Sequence, residues 1–365
     1  MKLVIAGVLA LVLKIALAAC TLGTNDARTW EHDLTALHTI GFAELYRSGV
    51  QYKAPDGRLS QRQAFIHPPA VLHALRVLGN RFWLRAICAI ADAATLGLLW
   101  SMFRTGVPLL MIALSPISIL ISGFHGNTDP IMMSLLVAAV FFVQRGNAVR
   151  AGVAFGVACS VKLVPLMFAP AILLCLPGLR ARFHWLAASA VVWFALSLPY
   201  LVQEPLLIVK TMLEYSGATG LWGFGLISKP LYVPAAKWIA LVAGASVPFW
   251  MKRRLFEQCG FIVLLFLFLS PGFGVQYLAW IVPWTATFAR RAAIACHATA
   301  GIAALLIYTA AAQNTHEGMY ADLLNPSHFP VLILMGMACW ASIAVYIATL
   351  WADRNPVPPA TPVDL

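Results

Sequence analysis

Acidic side chains are scarce in this sequence, 14 Asp and Glu against 25 Lys and Arg, and several occupy places where a carboxylate can exchange a proton or hold a cation. Asp26 directly follows the first apolar run, within Thr24-Asn25-Asp26, where no turn or capping role is evident. Asp129 ends His125-Gly126-Asn127-Thr128-Asp129, a polar connection between two apolar runs; standing before Pro130, it also reads as a helix cap. Asp92 lies in the middle of an apolar run, and an intramembrane acid is a functional hypothesis by default. Lys162 lies in an apolar segment interrupted by Pro165 and Pro170, where an unpaired ammonium is costly. It reads either as a group for an anion or as the structural partner of Asp92. Two further clusters mix glycine with aromatic residues: Leu221 to Gly225, and Ser270 to Tyr277 with Trp280 and Pro283 behind it. Each serves equally well as part of an interfacial aromatic belt. His316, in Gln313-Asn314-Thr315-His316-Glu317, is a loop histidine able to meet a phosphate or to be solvated.

The elements that must position these residues are membrane helices. Of 365 residues, 61% are hydrophobic and 11% charged, with a mean hydropathy of +0.81. Soluble domains carry roughly 25% charged residues, so this chain cannot cover a water-facing surface. Runs of about 20 apolar residues, the length that crosses a bilayer, are expected at 2–20, 82–103, 107–124, 130–143, 183–201, 231–250, 255–272, 276–289, 292–312 and 329–351. The expected fold is all-α, a polytopic bundle of about 10 spans. Residues 148–178 are too long for one upright helix and too short for two, with basic residues on both flanks. They predict two short or broken helices that enter and leave by one face.

The net charge of +11 is the kind of excess that suggests nucleic acid in a soluble protein. Here Lys2, Arg104, Arg145, Arg150, Arg180, Arg182, Lys252, Arg253, Arg254, Arg290, Arg291 and Arg354 fall in short connections on one side. That pattern marks a cytoplasmic face with the N-terminus inside, and no nucleic-acid partner is expected. Lys14 inside the first run favours a retained span over a cleaved leader, although Leu17-Ala18-Ala19-Cys20 resembles a lipidation site. The seven cysteines show no metal spacing. Three outward segments, 21–81, 202–230 and 313–328, are longer than linkers. In the first, Trp30, Leu34, Leu37, Gly41 and Leu45 fall at helical spacing, with Glu31, Asp33, His38 and Glu44 off that line. This predicts an amphipathic helix lying in the interface, and a second after Pro68-Pro69.

In order and spacing these pieces resemble the GT-C superfamily of integral-membrane glycosyltransferases, which use polyprenyl-phosphate-linked sugars. The resemblance covers about residues 1–290, leaving 291–365 as additional C-terminal helices and a short tail, and is nearest to the mannosyltransferase-like branch. It is carried by Asn25 and Asp26; by Tyr46, Tyr52 and His67-Pro68-Pro69; and by His125 to Asp129. Gly152, Gly156, Lys162 and Pro165 follow, then Leu198-Pro199-Tyr200, then Gly274 to Trp280 with Gln276 and Tyr277. The resemblance implies that Asp26 is the general base in an inverting transfer to a hydroxyl. It implies substrate-binding roles for Asn25, His67, His125, Asn127, Asp129, Lys162, Gln276, Tyr277 and His316. Lys162, His125 or the first-loop arginines would meet the leaving phosphate. The family often has two acids where this chain has only Asp26, so no cofactor is required by the sequence and a divalent cation is the one the resemblance admits.

The implied partners are a polyprenyl-phosphate-linked sugar, a lipid, glycan or protein acceptor, and membrane lipids, at the outer face of a bacterial inner membrane. An outward site fits the absence of any P-loop or dinucleotide fingerprint: nucleotide sugars are cytoplasmic, so the donor must arrive in the bilayer. The competing readings are a secondary transporter or lipid flippase, which broken helices and intramembrane charges also suit, and a non-enzymatic assembly subunit.

Overall fold

The computed structural model describes residues 1–49, 65–104, 106–214, 218–227, 229–287, 290–315 and 318–352. Tyr52, His316 and the expected tail 353–365 lie outside the described residues. The chain is a polytopic helical membrane protein. Among the described residues, Lys2–Cys20, Arg81–Phe103, Gly106–His125, Gly178–Leu201, Arg291–Ala311 and Pro326–Ala352 are long and apolar enough to cross a membrane. Shorter apolar helices fill the space between them.

Helix α1 (Lys2–Cys20) leads through strand β1 (Thr21–Thr24) into α2 (Asn25–Thr39), α3 (Phe42–Arg47) and α4 (Ala70–Leu78). Then come α5 (Arg81–Phe103), α6 (Gly106–Ala113), α7 (Pro116–Leu120) and a single π-helical turn, Ile121–His125. Helices α8 (Asp129–Gln144) and α9 (Ala148–Val161) follow, a 3-10 turn (Val164–Phe168) leads into α10 (Ala169–Cys175), and α11 spans Gly178–Leu201. Next are α12 (Pro205–Glu214), α13 (Gly223–Ile227), α14 (Lys229–Trp250) and α15 (Leu255–Leu269). Two 3-10 turns (Val275–Trp280 and Val282–Ala286) precede α16 (Arg290–Ala311), strands β2 (Ala312–Thr315) and β3 (Gly318–Ala321), and α17 (Phe329–Ala352).

Two departures from the sequence reading matter. The expected span 276–289 is not a continuous helix; its prolines and glycine-rich entry give two buried 3-10 turns in the core. The outer segment after α16 is not a plain loop: β3 pairs antiparallel with β2 and parallel with β1, Thr24 opposite Ala321. The chain's C-terminal part is thereby joined to the strand that leads into Asp26.

The 148–178 segment is broken as expected. Proline at 165 has no N–H to continue the ladder, and the chain runs extended at Lys162 (φ −151°, ψ 153°) between α9 and the following 3-10 turn. Gly152 and Gly156 are packing residues. A Cβ on Gly152 would run into the Trp185 carbonyl, and one on Gly156 would stand 2.6 Å from that of Ser189, so α9 and α11 meet backbone to backbone, as small residues permit in membranes.

The outer segment has its own small core. Trp30, Ala36, Leu45, Tyr46, Phe65 and Leu72 pack with Ile208 of α12. The expected apolar stripe on α2 is displaced. Leu34 and Leu37 are half-buried, while the buried face runs through Asn25, Ala27, Trp30, Asp33 and Ala36. Asp33, assigned to the polar side by spacing, is buried, and burial pushes its carboxyl up to about 7.

Candidate active site

The site begins at the first turn of α2. The Thr24 hydroxyl accepts from the Asp26 N–H at 3.3 Å, an N-cap that starts the helix at Asn25. The same hydroxyl donates to the His125 carbonyl at 2.8 Å, tying α2 to the end of the π turn. The Trp30 indole donates to the Gly126 carbonyl at 3.0 Å. Gly126 has φ +85°, and a Cβ there would stand 2.8 Å from Ala27 Cβ; only glycine fits this approach. The His125–Asp129 connection is therefore not a solvated loop but a buried one.

These contacts converge on one carboxylate. Asp26 Oδ2 accepts from Asn127 Nδ2 at 2.6 Å and meets His125 Nε2 at 3.1 Å. Its Oδ1 has only Asn25 Nδ2, at 3.4 Å, among the described residues. One oxygen is held by two contacts and the other by a single long one. Burial pushes this carboxyl up, but the His125 ring, the hydrogen bonds from His125 and Asn127, and the Lys162 charge outweigh it and hold the carboxyl at about 2. Asn25 is fixed in turn, its Oδ1 accepting from the Leu323 N–H at 3.2 Å.

Beside it stands a second cluster. Lys162 Nζ donates to both oxygens of Asp129, at 2.9 and 2.8 Å, and the Trp280 indole donates to Asp129 Oδ1 at 2.6 Å. Asp129 is fully buried and is a partner for Lys162, not a helix cap; α8 has no side-chain cap bond. An ammonium has three donors, so Lys162 keeps one N–H beyond Asp129. His67 feels the charges of both clusters. Burial and then the Lys162 charge lower its pKa, partly offset by Asp26, and hold the ring down to about 3, so it is neutral at physiological pH. Its ring packs on Trp30, 4.6 Å between centroids, and Tyr46 donates to its carbonyl at 2.6 Å.

The remaining candidates lie at the edges. The Gln276 side chain folds over Gly274, where a Cβ would stand 2.7 Å from Oε1; Tyr277 packs on Trp280 at 4.7 Å. Neither makes a described hydrogen bond to Asp26. Asp92 is not the partner of Lys162. It takes Lys14 at 2.9 Å and the hydroxyl of Ser118 at 2.7 Å, and Ser122 as well. Arg85 donates to the carbonyls of Ala18 and Thr21, both at 2.7 Å. These buried charges brace α1, α5 and the π turn against one another. Sequence reasoning missed Trp280 as a partner of Asp129, although it lay inside a quoted motif. It also missed Tyr308 of α16, whose hydroxyl is 2.8 Å from His125 Nδ1; a tyrosine within an apolar span gave no signal.

The donor set does not suit a divalent cation. Both Asp129 oxygens are taken by Lys162 and one also by Trp280, Asp26 Oδ2 is taken by two donors, and Mg²⁺-type sites need several free oxygens.

A pH prediction follows from Asp26. A carboxyl held near 2 is ionised, and available as a base, throughout the range above about pH 4, and is lost only as pH falls through 2. Asn127→Ala deletes a hydrogen bond to the charged form and raises the pKa. The expected result is an acidic limb in the pH–rate profile displaced upward relative to wild type; an unmoved limb would show that Asn127 does not tune this group.

Residues 121–219 match the family model described as Mannosyltransferase (PIG-M), a stretch that includes His125, Asn127, Asp129 and Lys162. No curated protein matches the chain. Among solved structures, the chain is similar to ArnT from Cupriavidus metallidurans bound to undecaprenyl phosphate, at 14% identity and a TM-score of 0.51, over 94% of this chain and 76% of that one. The whole-chain likeness to ArnT is one of fold, and the likeness to the mannosyltransferase family is confined to the segment that carries His125, Asn127, Asp129 and Lys162.

Proposed function

We propose that the protein moves a hexose or pentose, mannose-like by preference, from a polyprenyl-phosphate donor to a hydroxyl of a lipid, glycan or protein acceptor, at the outer face of a bacterial inner membrane. The observation that carries this reading is the half-open carboxylate: Asp26 with Oδ2 held by His125 and Asn127, Oδ1 met only by the long contact from Asn25 among the described residues, and the Lys162–Asp129 pair beside it. The acceptor O–H gives its proton to Asp26 Oδ1 while its oxygen forms a bond to the anomeric carbon. The bond from that carbon to the phosphate oxygen breaks on the opposite side, so configuration inverts, and polyprenyl phosphate leaves with the electron pair. The spare N–H of Lys162 meets the phosphate oxygens, with Arg28, placed over the Tyr320 ring at 4.9 Å, as a second cation. His67, neutral, is a hydrogen-bonding group for sugar. Asn25 and Asn127 fix Asp26, and Gln276 and Tyr277 border the site from the 3-10 turn. The undecaprenyl phosphate in the ArnT structure and the mannosyltransferase match support the donor class.

The test is donor choice. Purified protein in vesicles receives labelled undecaprenyl-phosphate mannose or labelled GDP-mannose, with a detergent extract of bacterial membranes as acceptor. Label is expected in product from the lipid-linked donor alone. Transfer from the nucleotide sugar, or none from either, would overturn the reading; loss of vesicle lipid asymmetry in place of transfer would favour a flippase.

A further inference from the structure

Helix α16 lies outside the region on which the family resemblance rests, yet it is fastened to the site at three levels. Near its start, the buried His297 bridges the hydroxyls of Ser115 and Thr285, at 3.0 Å each. One turn on, Gly301 lies against Pro116, where a Cβ would stand 3.0 Å away. Two turns further, the buried Tyr308 places its hydroxyl 2.8 Å from His125 Nδ1, its ring edge-on to Phe124 at 5.3 Å. His125 is 1% exposed, and among the described residues its two ring nitrogens meet Tyr308 on one side and Asp26 on the other. The hydrogen-bond logic is then closed. Asp26 is ionised and accepts only; Nε2 must carry a hydrogen to reach it. Nδ1 meets the phenol oxygen on the other side, so the ring cannot turn without breaking both contacts.

We propose that Tyr308 is a positioning residue of the transfer reaction: its hydroxyl fixes the orientation of the His125 ring, so that Nε2 holds Asp26 Oδ2 in place. A freely turning ring would release Oδ2 and let Oδ1 lose its aim. Tyr308 touches neither substrate. This inference rests on the reading of Asp26 as the base.

The experiment measures kcat and donor KM in vesicles with undecaprenyl-phosphate mannose for wild type, Tyr308→Phe, His125→Ala, the double variant, Ser115→Ala and Asp26→Asn. Tyr308→Phe is expected to lower kcat about tenfold, the worth of one buried hydrogen bond, at unchanged KM, and to add nothing to His125→Ala. Ser115→Ala loosens α16 through His297 without touching His125 and is expected to keep wild-type kcat. The proposal is overturned if Tyr308→Phe keeps wild-type kcat, if its loss adds in full to that of His125→Ala, or if Ser115→Ala falls equally. Should Tyr308→Phe fail to fold, 3-fluorotyrosine at position 308 keeps the packing and changes only hydroxyl acidity; an unchanged kcat then overturns the proposal. Full activity in Asp26→Asn overturns the parent reading instead.

Discussion

Asp26→Asn is expected to lower kcat by about 10²- to 10⁴-fold, the range general-base removal produces, with donor KM little changed. The amide is isosteric, and its Oδ1 or Nδ2 can still meet Asn127 and His125, so the fold around α2 survives. What disappears is the lone pair that takes the acceptor's proton. Measured in vesicles, the variant should bind donor and fail to transfer. A loss confined to KM would mean that Asp26 holds substrate and does not take the proton.

The second large effect concerns Lys162. In Lys162→Ala, Asp129 stays fully buried with only Trp280 to answer its charge, and breaking a buried pair from one side costs about 3–5 kcal/mol. Thermal unfolding in detergent should shift down accordingly. Adding Asp129→Asn removes the orphaned charge, so the double variant should recover most of the stability. It should not recover transfer, because the cation for the leaving phosphate is still missing. Recovery of both would make the pair structural only.

Much of this arrangement was legible in the sequence for physical reasons. Polar residues between apolar runs, as in His125–Asp129, have few places to go but an aqueous edge or a site, and Pro165 announced the break that presents Lys162. The chemical pairing was not legible. By residue type Asp92 was the partner offered to Lys162 and Asp129 a cap; only in the folded bundle, with α9 packed on α8, does Lys162 meet Asp129 instead. Lys14 takes the other acid. The apolar count of 276–289 predicted a span because hydropathy does not see that two 3-10 turns bury the same residues. The sheet was invisible because its pairing is long-range: β1 meets β3 across nearly the whole chain. Tyr308 reads from sequence like any aromatic in a membrane helix, and the hydrogen bond that singles it out exists only after α16 has packed.

The central claim is that Asp26 drives a single inverting displacement on a lipid-linked sugar. The measurement that tests it most directly is the anomeric configuration of the product formed in vesicles from undecaprenyl-phosphate mannose of known configuration, read by NMR for wild type beside Asp26→Asn. The account predicts an inverted product from wild type and essentially none from the variant at undiminished donor binding. A product of retained configuration, or wild-type yield from Asp26→Asn, would contradict it.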